Sequence, residues 1–186
     1  MGISEDIAKR RSVRVYTGGG IPAEDLLKIE DAGLLAPSSR GRRPWEIVLC
    51  EDGKTLAALS RCRKGSARML EKAGAAFCVF ADPEKSDVWI EDCSCVMAQM
   101  HLAASALGYG SCWIQLRGRS TETNGDSEEY VKSLLYVPAN FRAEAILAVG
   151  CVSVREETPR DAALFRGKVH RETFGGDGEN SGTDRR

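Results

Sequence analysis

A continuous apolar run, AAFCVFAD at residues 75–82, constrains the fold of this chain more than any other stretch. Gly74 and Pro83 bound the run, and an uninterrupted apolar segment of this length is typical of a buried strand. Three other runs also predict strands, namely WEIVLC at 45–50, SCWIQL at 111–116 and AEAILAVGCVSV at 143–154. The sequence therefore predicts a sheet of four strands.

The segments between the strands have helical periodicity. IPAEDLLKIEDAGLLAPSS predicts an amphipathic helix with Pro22 at its first position. Residues 87–110 predict a long helix with Gly108 in its C-terminal cap, and shorter helices are predicted at 54–60 and before Pro138. Strands that alternate with helices indicate a layered α/β or α+β domain.

Composition limits the domain organisation and the partners. No internal repeat or linker divides the chain, so residues 1–174 are predicted to form a single domain, and 175–186, without apolar content, a disordered tail. The 26 basic residues nearly cancel the 27 acidic ones, whereas a dedicated nucleic-acid binder usually has a clear positive excess. The lack of an apolar signal segment, and of any run of about 18 apolar residues, predicts a cytoplasmic protein with no membrane association.

The seven cysteines predict reduced, buried thiols rather than a metal site or a disulfide framework. Their number is odd, most have apolar neighbours, and no Cys-x-x-Cys spacing or nearby histidine supplies a set of metal ligands. Cys93 and Cys95 lie two apart in a predicted helix, so their side chains point away from each other. Buried free cysteine behaves as a small hydrophobic residue.

Several familiar catalytic patterns are missing from the sequence. The glycines at 18–20 are followed by Ile21 and Pro22 instead of the Gly-Lys-Ser/Thr of a phosphate loop, so they predict a simple turn. No Gly-x-Ser-x-Gly motif occurs, and His101 lies in the long helix, where a packed, hydrogen-bonded histidine is commoner than a catalyst. Because side-chain catalysts are scarce, an enzyme of this sequence would rely on a cofactor for its chemistry.

A basic segment near the start of the chain is the best candidate for binding such a cofactor. Arginine presents a rigid fork of donors that suits phosphate oxygens, and the hydroxyl of Ser12 adds a short donor. Arg10 and Arg14 are four apart, so one helical turn would place both on the same face. This spacing fits a terminal phosphomonoester, although a charged surface turn accounts for it equally well.

Longer motifs resemble those of a known family. RRSVRVYTGGGIP, followed by a helix and APSSRGRRPWEIVLC, is similar to the start of the nitroreductase family of FMN-dependent oxidoreductases. AASALGYGSCWI resembles the family's second signature, and AILAVGCVSV and KVHRETFG resemble its last strand and tail. The resemblance, from about Ile7 to Phe174, implies an α+β nitroreductase-like fold: a central, mainly antiparallel sheet wrapped by helices, in a domain-interlocked homodimer with two FMN sites between the subunits.

The resemblance also implies roles for residues at the two ends of the cofactor. The segment that holds the FMN phosphate and ribityl chain matches Arg10, Arg11, Ser12 and Arg14. A C-terminal cation completes the phosphate site in the family, and here Lys168 is slightly favoured over Arg166 and Arg160.

Three other segments are implied to reach the flavin ring. A loop that comes from the partner subunit matches Pro37, Ser38 and Ser39. The stretch whose backbone lies against the reactive edge of the isoalloxazine matches Trp113, Ile114 and Gln115, and Arg68 is a candidate for the pyrimidine edge.

The sequence departs from the family pattern at three positions. Gly41 and Arg43 stand where the family usually has asparagine and glutamine, and Leu116 stands where it has a glycine. Loss of the two amides, with a charge gained at Arg43, implies a changed choice of substrate or a changed flavin potential. Leu116 implies a narrower face for the stacked substrate.

The activity implied by the resemblance is a ping-pong transfer. NADH or NADPH delivers hydride to the flavin and leaves, and a nitroaromatic, quinone or similar acceptor then takes the electrons at the same place, without a side-chain nucleophile or obligatory acid. Three alternatives stay open: a specialised flavoenzyme of the same family, a non-enzymatic FMN-binding protein, and a nucleic-acid role for the arginines at 10–14 and 40–43. The near-neutral net charge argues against the last.

Overall fold

The computed structural model describes residues 3–153 and 160–176. Four strands form one antiparallel sheet in the order β1-β2-β4-β3, where β1 is Trp45–Cys50, β2 Ala75–Ala81, β3 Gly110–Gln115 and β4 Arg142–Gly150. All four predicted strands are confirmed, although β4 ends earlier than the sequence indicated. The order places β2 and β4 at the centre of the sheet and leaves β3 at an edge.

The predicted helices are also confirmed. The longest is α4, Trp89–Ala106; α2 covers Ala23–Leu34, α3 Gly53–Leu59 and α5 Ser127–Leu134. Short 3-10 helices cover Ser39–Gly41 and Arg68–Lys72. One prediction needs correction, because Pro22 is the N-cap of α2 and not its first helical residue. Its backbone is extended, and its carbonyl accepts the N–H groups of Asp25 and Leu26.

The sheet buries apolar side chains on both faces. Alternate residues of β2 and β4, such as Phe77 and Leu147, pack against α2 and α4 on one face. The intervening residues, such as Phe80 and Ile146, pack against α3, α5 and the second 3-10 helix on the other. Strands buried on both faces carry continuous apolar runs, which is why β2 was recognisable from sequence.

The chain divides into two compact units, and residues near both of its ends belong to the smaller one. Among the described residues, one unit contains 10–153, and the other contains 3–9 and 160–176. In the latter, α1 covers Ile3–Lys9, a 3-10 helix covers Ala162–Lys168, and the Arg160 N–H donates to the Ala8 carbonyl. The single domain at 1–174 stays a prediction, and most of the predicted tail at 175–186 lies outside the described residues.

The glycines at 18–20 lie in irregular backbone that is assigned to no helix, strand or turn, so the predicted turn is not observed. Gly18 and Gly19 have φ values of 82° and 94°, a left-handed backbone that glycine adopts without steric cost. A Cβ atom on Gly74, just before β2, would lie 2.7 Å from the Gly19 carbonyl oxygen. The backbone at Gly19 therefore lies directly against the backbone just before β2.

Within the described residues, no helix is long and apolar enough to cross a membrane. The cysteines are free thiols, and five of the seven are buried. Burial raises the pKa of Cys62 and of Cys93 to about 12, which keeps these two thiols protonated.

Candidate functional site

The basic segment, residues 10–14, is extended rather than helical. Helix α1 ends at Lys9, and Ser12 then forms a parallel bridge with Ser111 of β3. The Val13 N–H donates to the Ser111 carbonyl over 2.9 Å. The prediction that Arg10 and Arg14 share one helical turn is therefore wrong. Residues two and four apart also share a face of an extended chain, so the spacing did not distinguish the two conformations.

Tyr16 fixes the end of this segment against the sheet. Its hydroxyl donates to the carbonyls of Val13 and Ala148, at 2.9 and 3.2 Å. The ring lies over Gly150, where a Cβ atom would be 2.7 Å from it. Burial raises the pKa of Tyr16 well above its ordinary value, so the hydroxyl remains a donor.

Replacing Tyr16 with phenylalanine should loosen the basic segment without emptying the core. We expect the free energy of unfolding to fall by about 1–2 kcal/mol, because two carbonyls lose their donor. Urea denaturation at one fixed protein concentration measures it. Tyr136→Phe is the control, because Tyr136 is 94% exposed and its loss should stay within about 0.5 kcal/mol. Equal stability of Tyr16→Phe and the wild type would contradict this role of the hydroxyl.

His101 connects the basic segment to α4 and β3. Its Nε2 lies 2.7 Å from a guanidinium nitrogen of Arg10, and its Nδ1 lies 2.6 Å from the Ser111 hydroxyl. Burial, and then the charge of Arg10, lower the pKa of His101 to about 4. The ring is therefore neutral near pH 7. The prediction of a packed, hydrogen-bonded His101 is confirmed.

A second arginine approaches the segment from a distant part of the sequence. Burial raises the pKa of the Cys112 thiol, and the nearby guanidinium groups of Arg14 and Arg63 oppose that rise. Arg63 thus lies near the same strand as Arg14. Sequence reasoning missed Arg63, because it follows α3 and no local motif marks it. Arg14 and Ser12 are exposed, while Arg10, Arg11 and Arg63 are half-buried.

The open edge of β3 presents backbone groups beside this cluster. The Ser111 carbonyl points outward to Val13, whereas the Leu116 N–H points inward to Glu144 of β4. Because backbone direction alternates along a strand, Trp113 and Gln115 also direct their backbone groups to the open edge. Ile114 directs its own toward β4, and its side chain is fully buried in the core. The structure therefore separates Ile114 from the two neighbours predicted with it.

The side chains of Trp113 and Gln115 are engaged within the fold. The Trp113 indole N–H donates to the Gln115 side-chain oxygen over 2.8 Å. The Gln115 amide donates to the carboxylate of Glu144 over 2.9 Å, and Arg117 forms an ion pair with the same carboxylate at 3.1 Å. Glu144 is almost completely buried. These bonds leave the backbone of Trp113 and Gln115 as the part available to a ligand.

Residues 38–43, which we call the arginine loop, follow exposed Pro37. The Ser39 N–H donates to Asp92 of α4 over 2.8 Å, and the other oxygen of Asp92 accepts the Ser86 hydroxyl. The Ser38 hydroxyl accepts the N–H of Arg43 over 3.0 Å. Sequence reasoning missed Asp92, which is buried in the first turn of α4 and holds the loop.

The remaining predicted residues are all exposed. Arg68 is exposed at the start of its 3-10 helix. Lys168 and Arg166 are exposed in the helix Ala162–Lys168, and exposed Arg160 precedes that helix. Because these three belong to the other compact unit, their role at the phosphate stays a prediction.

Comparison with known proteins decides the family. The family model described as "Nitroreductase family" matches residues 7–75 and 57–151. The chain belongs to the nitroreductase family. A relative from Archaeoglobus fulgidus, with the provisional name NADH dehydrogenase/NAD(P)H nitroreductase, is 34% identical over 173 residues, which are 90% of this chain and 96% of the relative. The family resemblance drawn from the motifs is thus confirmed.

Solved structures agree on the nitroreductase fold. An FMN-dependent nitroreductase from Clostridium difficile is 40% identical with a TM-score of 0.86, and the match covers 91% of this chain and 99% of that one. A nitroreductase from Desulfovibrio desulfuricans, solved in complex with FMN, has a TM-score of 0.70. It is 24% identical, with 89% of this chain and 95% of that one covered, and supports the fold alone. The predicted α+β fold is confirmed.

The family also explains how Gly41 fits a position that usually holds asparagine. Gly41 has a φ of 67°, in the left-handed region. Glycine and asparagine are the two residues that adopt this region most readily. The asparagine that the motif resemblance implies here could adopt the same backbone conformation as Gly41, so the two residues differ mainly in the side-chain amide.

Proposed function

We propose that this chain is an FMN-dependent oxidoreductase that takes hydride from NADH or NADPH and reduces nitroaromatic, quinone or similar acceptors. The observation that carries the proposal is the basic segment, bridged to the open edge of β3 beside outward backbone groups. The basic segment could supply cations to a phosphate, and it is bridged to the strand whose outward backbone could contact a ring. Family membership and the names of the relatives support the same activity.

Residues of the basic segment fit the phosphate end of FMN. Exposed Ser12 and Arg14 provide a hydroxyl and a guanidinium fork, and Arg10 is oriented by His101. Charged donors to phosphate make strong hydrogen bonds. Arg11 of the same segment and Arg63 add positive charge close by. We assign Lys168 to the same phosphate and Arg68 to the pyrimidine edge.

The flavin, when bound, would supply the redox chemistry, in which it accepts hydride from the nicotinamide and passes electrons to the acceptor. The protein's contribution is to hold it and to tune it. The N–H groups of Trp113 and Gln115 would favour the negative charge that reduction brings to the adjacent edge, as preorganised donors do in a dry site. We assign Ile114 a packing role behind this edge, because its side chain is fully buried. No side chain of this chain is assigned as a nucleophile.

We further propose a cytoplasmic homodimer in which the arginine loop, with Pro37, reaches the flavin of the partner. In one chain the loop is fastened at Asp92, and the basic segment is fastened at His101. These two residues are nine apart in α4, which is roughly 14 Å along the axis at about 1.5 Å per residue. A second subunit would bring the two groups together around one cofactor.

The absorption spectrum of the purified protein tests the activity. We expect a flavin spectrum with FMN bound, and its anaerobic bleaching by NADH or NADPH, followed by recovery of colour when a nitroaromatic or quinone is added. Bleaching before any acceptor is present is what a ping-pong order requires. A protein that takes up no FMN would overturn the proposal. A bound flavin that neither nucleotide bleaches would favour a non-enzymatic FMN-binding protein.

A further inference from the structure

We propose that Arg40 and Arg43 form an anion-binding pair that selects electron donors or acceptors bearing a phosphate or carboxylate group. The inference rests on the proposed function, because it places the arginine loop beside the flavin. It goes further by naming the chemical class of the substrate. The anion in question is distinct from the phosphate of FMN, which is assigned to the basic segment.

The first observation is the unusual backbone of the loop. Arg40 has φ and ψ of 53° and 20°, and Arg43 has a φ of 45°. The left-handed region is sterically unfavourable for a residue other than glycine. Residues held in such conformations cluster at ligand-binding and catalytic sites, where the surrounding structure maintains them.

The surroundings of the loop do maintain this conformation. Its backbone is tied to Asp92 and to the Ser38 hydroxyl, and the Gly41 N–H donates to the Ser38 carbonyl over 3.0 Å. The Arg42 guanidinium donates to the Lys85 carbonyl over 3.2 Å and lies 3.8 Å from Asp87. One arginine of the three therefore fastens the loop to the segment that precedes α4.

The side chains of Arg40 and Arg43, unlike that of Arg42, do not fasten the loop to the rest of the fold. The guanidinium groups of Arg40 and Arg43 are exposed, and neither has a hydrogen bond or ion pair with any residue that the structure describes. Buried Asp92 accepts the Ser39 N–H and the Ser86 hydroxyl and makes no ion pair with either arginine. Two exposed guanidinium groups, three residues apart on a backbone held by hydrogen bonds, are available to an external anion.

The small number of cations in the pair, and the near-neutral charge of the chain, favour a small ligand over a nucleic acid. The chain carries 26 basic and 27 acidic residues, so no broad positive field surrounds the pair. Nucleic-acid affinity comes mainly from many phosphate contacts, whereas two guanidinium forks are enough to bind one phosphate or carboxylate. The two sources of that anion are the phosphates of the nicotinamide nucleotide and an anionic group on the acceptor.

Equilibrium binding to the FMN-loaded protein tests the pair. NADP⁺, NAD⁺, 4-nitrobenzoate and the neutral 4-nitrobenzyl alcohol are titrated while the flavin absorption is followed. In the double variant R40Q/R43Q, we expect at least one anionic ligand to bind tenfold more weakly, while the alcohol and FMN stay within twofold of wild type. R40K/R43K should recover part of the loss because the charge returns. The exposed Arg119→Gln is the matched control and should bind as wild type.

The pattern of losses identifies the source of the anion. A loss confined to NADP⁺ identifies the phosphate that distinguishes it from NAD⁺, a loss shared by both nucleotides identifies their diphosphate, and a loss confined to 4-nitrobenzoate identifies the acceptor. Unchanged anion binding, or an equal loss for the neutral alcohol, would overturn the inference. So would weaker binding of a single-stranded oligonucleotide with unchanged small anions. Because FMN affinity is measured separately, failure of the wild type to bind FMN would instead overturn the proposed function.

Discussion

Replacing Arg14 with glutamine is expected to weaken FMN binding by about 10- to 100-fold. A hydrogen bond to a charged group contributes about 1.5–3 kcal/mol, and each 1.4 kcal/mol is about a tenfold change in the dissociation constant. Arg14 is exposed, and its described hydrogen bond is a long one of 3.4 Å to the Ser12 carbonyl. The side chain can therefore turn to a phosphate at little cost. Flavin fluorescence during titration measures the dissociation constant.

Riboflavin, which lacks the phosphate, is the matched ligand for this experiment. Its affinity should be the same in wild type and in Arg14→Gln if Arg14 acts only on the phosphate. Arg14→Lys should give an intermediate FMN affinity, because it keeps the charge and loses the guanidinium fork. Arg63→Gln should also weaken FMN selectively, by a smaller factor. A parallel loss of riboflavin affinity would show that Arg14→Gln had disturbed the strand edge instead.

The elements of the fold could be predicted from the sequence because local patterns encode them. β2 is a continuous apolar run because both of its faces are buried. Boundaries were less accurate where they depend on tertiary contacts. Pro22 became an N-cap because its own carbonyl accepts the first helical N–H groups, and β4 ends at Gly150, against which the Tyr16 ring packs.

The residue types of the site could be predicted from the sequence, but the hydrogen bonds between distant residues that hold the site together could not. Arginines beside Ser12 indicated a phosphate, yet Arg10 meets His101 across 91 positions of sequence, and Ser39 meets Asp92 across 53. No spacing rule reaches such distances. Arg63 lacks any motif of its own, and only the tertiary fold brings it near Cys112 of β3. Asp92 holds the arginine loop in place and does not itself face a ligand in this assignment, which explains why no chemistry-bearing pattern marked it.

The neutral state of His101 follows from its partners. A guanidinium can only donate, so Nε2 must accept from Arg10, and the proton is on Nδ1, which donates to the Ser111 hydroxyl. Protonation of Nε2 would place two cations face to face in a buried position and leave Arg10 without this acceptor. Burial and Arg10 accordingly lower the pKa of the ring to about 4, from an ordinary value of 6.5.

Stability is therefore expected to fall on acidification between pH 6.5 and 4. In this range the unfolded state binds a proton that the folded state does not, so falling pH favours unfolding. A pKa difference of two to three units between the unfolded and folded states corresponds to a loss of about 3 kcal/mol of stability once the pH has fallen to 4. Urea denaturation from pH 7 to pH 4 should show His101→Gln losing less stability than wild type, because glutamine offers Arg10 an acceptor and does not titrate. His170→Gln, at the other, exposed histidine, should follow wild type.

The same protonation should release the cofactor, because Arg10 is one of the groups assigned to its phosphate. Wild type is expected to lose FMN at a higher pH than His101→Gln, which a rise in free-flavin fluorescence during acidification would reveal. Carboxylates also titrate in this range, but they do so in both proteins and cancel in the comparison. His101→Leu, which supplies no acceptor, should bind FMN more weakly at every pH. Identical acid profiles for wild type and His101→Gln would mean that His101 does not orient Arg10 for the phosphate.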